Sequence, residues 1–231
     1  MPKMVKILRV ADGGLDMAVR LQDLANEIKA AEIFIHDAIV PMRHIKIEID
    51  TETAGIAGCR SGSNSLLVMP WYLGTVNIFP SADLPWIAVE GFRLISAVDF
   101  IHSRGYAHLD IKSLNVFVSG NTQWFLGDFG ACKRFGEKIT ASSFQFCFEN
   151  NLSNTASPVY DWFMLLVMVL IESLVDRRSY TRLFYPSSEA SFADYNLVVR
   201  YAESLVADNE NEFGFFVSEL LQRLRRCKLT V

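Results

Sequence analysis

The chain has 231 residues, 51% of them apolar and 12% aromatic, enough for one large domain or two lobes with a sizeable buried core. Its formal net charge of −4 gives no support to electrostatic binding of nucleic acid. Four scattered cysteines (Cys59, Cys132, Cys147 and Cys227) show no metal-ligand spacing such as C-x-x-C and fit free thiols in a reducing compartment, an intracellular location that is cytoplasmic or nuclear.

The first residues lead into a short apolar run with no cleavage-like end, so no signal peptide is expected. Residues 4–10 read as a strand in which Lys6 is flanked by Val5 and Ile7. Residues 11–16 contain Gly13 and Gly14 and read as a turn. Leu21, Leu24, Ile28 and Ala31 then recur at helical spacing, which predicts an amphipathic helix over residues 17–34 with Glu27 beside its apolar stripe. Residues 43–50 alternate apolar and polar (RHIKIEID), the pattern of a half-buried strand. Residues 51–65 are rich in Gly, Ser and Thr and read as a loose connection. Residues 65–72 form an apolar strand that stops at Pro70, which has no N–H to offer.

A break at residues 80–85 precedes a long helix over residues 86–104, with Gly105 as its stop. The apolar run 162–175 contains Glu172 and falls short of the roughly 20 residues that a membrane-spanning helix needs. It is expected to be a buried core helix beginning at Asp161, and no membrane partner is expected. Residues 176–231 read as further helices. Their basic end, around Arg223, Arg225 and Arg226, is too short a cluster to argue for nucleic acid.

The stretch 108–130, HLDIKSLNVFVSGNTQWFLGDFG, carries the most chemistry. Val116 to Val118 and Gln123 to Leu126 read as two short strands joined by the polar cluster Ser119, Gly120, Asn121 and Thr122. Such a hairpin brings its ends together, so Asp110, Asn115 and Asp128 should converge at one mouth with Lys112 nearby. Two carboxylates, a carboxamide and an ammonium gathered there suit a magnesium-bound phosphate.

At these residues the chain resembles the eukaryotic protein kinase family. The pattern H-R-D-x-K-x-x-N followed by D-F-G stands here as His108, Leu109, Asp110, Ile111, Lys112, Ser113, Leu114, Asn115 and then Asp128, Phe129, Gly130. The resemblance implies an α+β, bilobal protein-kinase-like fold, with a reduced β-rich N-lobe (residues 1–73) and a mainly helical C-lobe (residues 74–231). It implies ATP and Mg2+ as cofactors and a protein substrate. Asp110 would be the catalytic base and Lys112 would stabilise the transferring phosphoryl group. Asn115 and Asp128 would hold the magnesium ions, and Lys6 would hold the α- and β-phosphates with Glu27 in support. Met69 would stand at the gatekeeper position, with Pro70, Trp71 and Tyr72 on the hinge that meets adenine. Lys112, two residues after Asp110, favours the serine/threonine branch. Residues 133–143 would be the activation segment, Cys147, Phe148 and Glu149 the remnant of A-P-E, and Asp161 the acid that orients the catalytic loop.

The chain also departs from the family. Only five residues precede Lys6, so the G-x-G-x-x-G loop expected before it is missing, as in an N-terminally truncated form, and Gly13-Gly14 lies on the wrong side to substitute. Leu109 replaces the usual Arg, which predicts that phosphorylation of the activation segment does not switch the chain on. The leading expectation is an ATP-dependent serine/threonine protein kinase. The alternative is a pseudokinase-like module that binds nucleotide or protein without turnover. A small-molecule phosphotransferase on a related fold ranks last, because such enzymes tend to lack both Lys112 and the D-F-G.

Overall fold

A computed structural model describes residues 2–8, 17–49, 62–78, 83–139, 155–174, 183–185, 193–208 and 210–228. The glycine pair Gly13-Gly14, Cys59, Cys147, Glu149 and the hydroxyl residues Thr140, Ser142 and Ser143 lie outside these residues.

Strands β1 (Lys3–Leu8), β2 (Arg43–Ile49) and β3 (Gly62–Pro70) form an antiparallel sheet in the order β1-β3-β2. The central strand has Lys6 opposite Leu67 and Met4 opposite Met69. Leu67 and Met69 are both buried, as alternate residues on one face of a central strand should be. Strand β3 starts at Gly62, so Ser63 and Asn64 belong to the ladder rather than to the loose connection expected there.

Helix α1 (Met17–Ile33) crosses between β1 and β2 in sequence. Its buried positions, Glu27 and Ala30, continue past its end to Phe34, while Leu21 is 46% exposed. The inward face is therefore rotated from the stripe expected on hydropathy alone. The rotation turns Glu27 toward Lys6 and Phe34 toward Phe129.

Next come β4 (Gly74–Thr75), α2 (Leu84–Ser103), β5 (Tyr106–Ala107), a 3-10 turn (Ser113–Asn115), β6 (Val116–Val118), β7 (Trp124–Leu126) and β8 (Lys133–Arg134). The order β4-β6-β7 makes a second small sheet, and β5 pairs with β8. Backbone bonds from Val40 N–H to the Leu126 carbonyl and from Leu126 N–H to the Ala38 carbonyl, both 2.9 Å, tie the segment after α1 to this second sheet. Helix α2 begins two residues earlier than its sequence suggests. Asp83 caps it by accepting the Trp86 amide, and Pro85 lies inside the first turn, where its missing N–H costs nothing.

Helix α3 (Pro158–Ser173) likewise starts earlier, with Ser157 as its cap. Every residue from Val159 to Glu172 is buried, so it is the central core helix, apolar all round apart from Asp161 and Glu172. Helices α4 (Tyr195–Asp208) and α5 (Glu212–Lys228) complete the described elements. Helix α5 approaches α2 closely at Gly91, where a Cβ would meet the Phe216 ring at 2.3 Å. Among the described residues no helix is long and apolar enough to cross a membrane.

Candidate active site

Strand β1 contributes Met4, Val5 and Lys6 to a cleft of about 330 Å³ lined also by Glu27, Val40, Met42, Met69, Phe117 and Asp128, with Met4 and Lys6 on one face of the strand. That size and its mostly apolar walls with a few converging charges are those of a small-molecule site. Lys6 Nζ lies 2.5 Å from Glu27 Oε1 and 3.2 Å from Asp128 Oδ1, so it bridges α1 to the Asp128 segment. Burial opposes the charge on Lys6, but the facing carboxylates of Asp128 and Glu27 outweigh it and hold the ammonium above its ordinary value. Burial pushes Glu27 up to about 7, aided by a hydrogen bond shared with Asp128. Burial also works against ionisation of Asp128, yet the bond from Glu27 and the charge of Lys6 prevail and hold it below the usual carboxylate range. Of the two acids, Glu27 is the more readily protonated and Asp128 the more readily ionised.

The second half of the site is the loop from His108 to Asn115. Lys112 Nζ bonds both Asp110 carboxylate oxygens, at 3.1 and 2.9 Å. The Asn115 amide donates to the Asp110 carbonyl and to Asp110 Oδ2, each at 2.8 Å. That use of its nitrogen leaves the Asn115 side-chain oxygen as a hard donor. The hairpin joins the two halves: Val116 pairs with Leu126, and the Gly127 amide donates to the Asn115 carbonyl at 2.9 Å. His108 Nε2 lies 3.1 Å from the Gly127 carbonyl and adds a second tie.

Leu109 and Asp128 both have positive φ, 64° and 60°. For non-glycine residues this costs about 1–2 kcal/mol each, and it persists only where neighbours over-determine the backbone. At Leu109 the neighbour is Asp161, which is fully buried. Its Oδ1 accepts the Leu109 amide and its Oδ2 the His108 amide, both at 2.8 Å, while His102 Nε2 lies 2.8 Å from Oδ2. Asp161 is thus one turn inside α3 rather than its cap, a role filled by Ser157. Around Asp128 the Phe129 ring packs on Phe34 and His108, and Asn26 Nδ2 holds the Gly130 carbonyl at 2.7 Å.

The structure therefore brings Lys6, Glu27, Asp128 and Met69 around one cleft, and Asp110, Lys112 and Asn115 into the adjoining loop. Pro70 is exposed at the end of β3 and does not line the cleft; the next amide, Trp71, donates to the Pro2 carbonyl at 3.2 Å. Tyr72 is buried against the rings of Phe117 and Phe125, where burial pushes its hydroxyl up to about 12, so it buttresses the cleft wall. Sequence reasoning missed Met4, Met42 and Phe117 as wall residues. Met4 was within reach, since strand alternation places it with Lys6. It also missed Asp23, one turn before Glu27. Asp23 is raised by burial, with Lys133 opposing and the Asp128 and Asp110 carboxylates reinforcing.

Among the described residues no three His, Cys, Asp or Glu side chains gather to hold a metal by themselves. Magnesium is commonly held by one or two protein oxygens together with substrate phosphates. The Asp128 carboxylate and the Asn115 side-chain oxygen are donors of the right hardness.

No family model matches the chain. It is 34% identical over 101 residues to the serine/threonine-protein kinase US3 of Human herpesvirus 1, covering 42% of this chain and 18% of that protein. It is 27% identical over 119 residues to the serine/threonine-protein kinase Nek9 of Xenopus laevis, covering 52% and 12%. A probable serine/threonine-protein kinase of Dictyostelium discoideum is 22% identical over 181 residues, covering 71% and 30%. The chain spans less than a third of the length of each of these relatives. At modest identity and partial coverage, they support a protein kinase family for this sequence, and the mixed helix and strand architecture is compatible with a kinase-like fold.

Proposed function

We propose that the chain is a protein kinase-like phosphotransferase that moves the γ-phosphate of ATP to serine or threonine hydroxyls of protein substrates. One observation carries the reading. Lys6 is held between Glu27 and Asp128 in the cleft, while Asp110 is gripped by Lys112 and Asn115 in the adjoining loop, and the Asn115–Gly127 bond links the two. The serine/threonine kinase relatives support the same class of chemistry. In this reading residues 1–73 form a smaller lobe and residues 74–231 a helical one, with the cleft at their junction.

The catalytic work is positioning and charge neutralisation. Met4, Met69 and Phe117 supply an apolar slot for the adenine ring, backed by the buried Tyr72. Lys6, fixed by Glu27, meets the α- and β-phosphates. Asp110 orients the substrate hydroxyl and takes its proton as the oxygen bonds to the γ-phosphorus and the bond to the β-phosphate oxygen breaks. Lys112, beside Asp110, balances the charge on the transferring group. Asn115 and Asp128 would hold magnesium, which when bound would add neutralisation of phosphate charge.

Strand β1 is the edge of its sheet among the described residues. That observation favours, as the second reading, a module that binds nucleotide without turnover. Nucleotide binding is common to both readings and is tested first by a thermal shift with ATP and magnesium. The wild type is expected to be stabilised and Asp128→Ala not. An absent shift in the wild type overturns both.

A further inference from the structure

Helix α3 carries two acids in an otherwise apolar, fully buried run, and both are turned toward the same loop. Asp161 and Glu172 are eleven residues apart, which at 3.6 residues per turn is three turns, so they share one face roughly 16 Å apart. Asp161 takes the amides of His108 and Leu109 at one end of the loop. Glu172 is 2% exposed, and its Oε1 accepts the Ser113 hydroxyl at 2.6 Å at the other end. Ser113 is itself buried, directly follows Lys112 and opens the turn that ends at Asn115. Its carbonyl also accepts the Asn77 amide at 3.3 Å.

We propose that Glu172 is a positioning residue, and that α3 acts as a splint fixing the loop at both ends so that Lys112 and Asn115 keep their grip on Asp110. Placing a carboxyl inside an apolar helix is costly unless it is hydrogen-bonded. A leucine would suit the same helix without that cost, so packing does not explain the glutamate. Its contact with Ser113 gives the carboxyl a partner in the loop. Ser113 touches neither cleft nor phosphate site, but it sits between the two side chains that hold Asp110. The role rests on the phosphotransferase reading above.

The test uses the full chain, comparing wild type with Ser113→Ala, Glu172→Ala, Glu172→Gln and the Ser113→Ala/Glu172→Ala double variant. The readouts are kcat, KM for ATP, and amide hydrogen exchange over residues 108–116. Ser113→Ala and Glu172→Ala are each expected to lower kcat by up to about 10²-fold, the scale of a small misplacement of reacting groups, with KM for ATP unchanged. The double variant should be no worse than either single one, and Glu172→Gln, whose carbonyl still accepts the hydroxyl, should recover most of the rate. Exchange should quicken at the Asn115 amide while the His108 and Leu109 amides, held by Asp161, stay protected. Additive losses, or unchanged exchange at Asn115, overturn the proposal. If Glu172→Ala fails to fold, Ser113→Ala, which removes a single hydroxyl, decides alone. If the wild type transfers no phosphate, the phosphotransferase reading falls and the exchange comparison still decides the splint.

Discussion

Asp161 Oδ1 accepts the backbone N–H of Leu109 at 2.8 Å, across fifty-two residues of sequence, and so holds a buried leucine at φ 64°. The same carboxylate takes the His108 amide and the His102 ring. Replacing it by alanine strands the fully buried His108 and Leu109 amides and the largely buried His102 ring, at about 1–3 kcal/mol for each buried group left unsatisfied. Asp161→Ala is therefore expected to lose at least about 3 kcal/mol of stability in urea denaturation. A loss under about 1 kcal/mol would show that the loop holds its backbone without this clamp.

The Lys6, Glu27 and Asp128 cluster makes stability depend on pH with a defined sign. The Glu27 value is raised from 4.5 to about 7, so the folded protein binds that proton more tightly than the unfolded chain does. Its stabilising contribution is full below about 4.5 and is lost as pH rises through about 7. Asp128 is lowered and acts oppositely, its contribution being lost only as pH falls below the ordinary carboxylate range. Glu27→Gln cannot lose a proton. The melting temperature of Glu27→Gln minus that of wild type should therefore increase from pH 5 to pH 8, and a constant difference would contradict the assignment.

Leu109 is fully buried and offers no cation to a phosphate. The nearby buried cation, Lys133, already feels the Asp23 carboxylate from α1. Phosphorylation at Thr140, Ser142 or Ser143, or Glu substitutions there, is accordingly expected to leave the transfer rate unchanged. A rise in rate on phosphorylation, read in a steady-state assay, would show that another group receives the phosphate.

At the helical end, Gly91 of α2 faces the Phe216 ring, with three ring carbons at 2.3, 2.6 and 2.9 Å from where a Cβ would stand. Phe216 is buried and edge-packed on Phe92, so it has little room to move. Gly91→Ala is expected to destabilise by about 1–3 kcal/mol through overpacking, reduced by the roughly 1 kcal/mol helix preference of alanine over glycine. A stabilised variant in thermal denaturation would show that α5 can shift away from α2.

Local pattern carried much of this into view and stopped at particular places. Lys6 was legible through the family resemblance, as a strand lysine followed by a glutamate on the next helix. Glu27 was legible as an acid beside a helical stripe, although the buried face proved to be Glu27, Ala30 and Phe34, since hydropathy does not register the pull of Lys6 on Glu27. The helix starts at Asp83 and Ser157 were obscured by Pro85 and Pro158, which resemble breaks in sequence yet lie within first turns. Tyr72 followed the hinge pattern but turned its ring into the wall behind Phe117. Glu172 was visible only as a lone acid in an apolar run. Its partner Ser113 lies fifty-nine residues away, and that pairing is a tertiary contact with no local signature.

The central claim is phosphoryl transfer with Asp110 as the base, and radiolabelled phosphate transfer from ATP to a generic protein substrate tests it directly. The wild type should label serine and threonine in the substrate, and Asp110→Ala should lose that labelling while still being stabilised by ATP and magnesium. Equal labelling by wild type and Asp110→Ala would contradict the account.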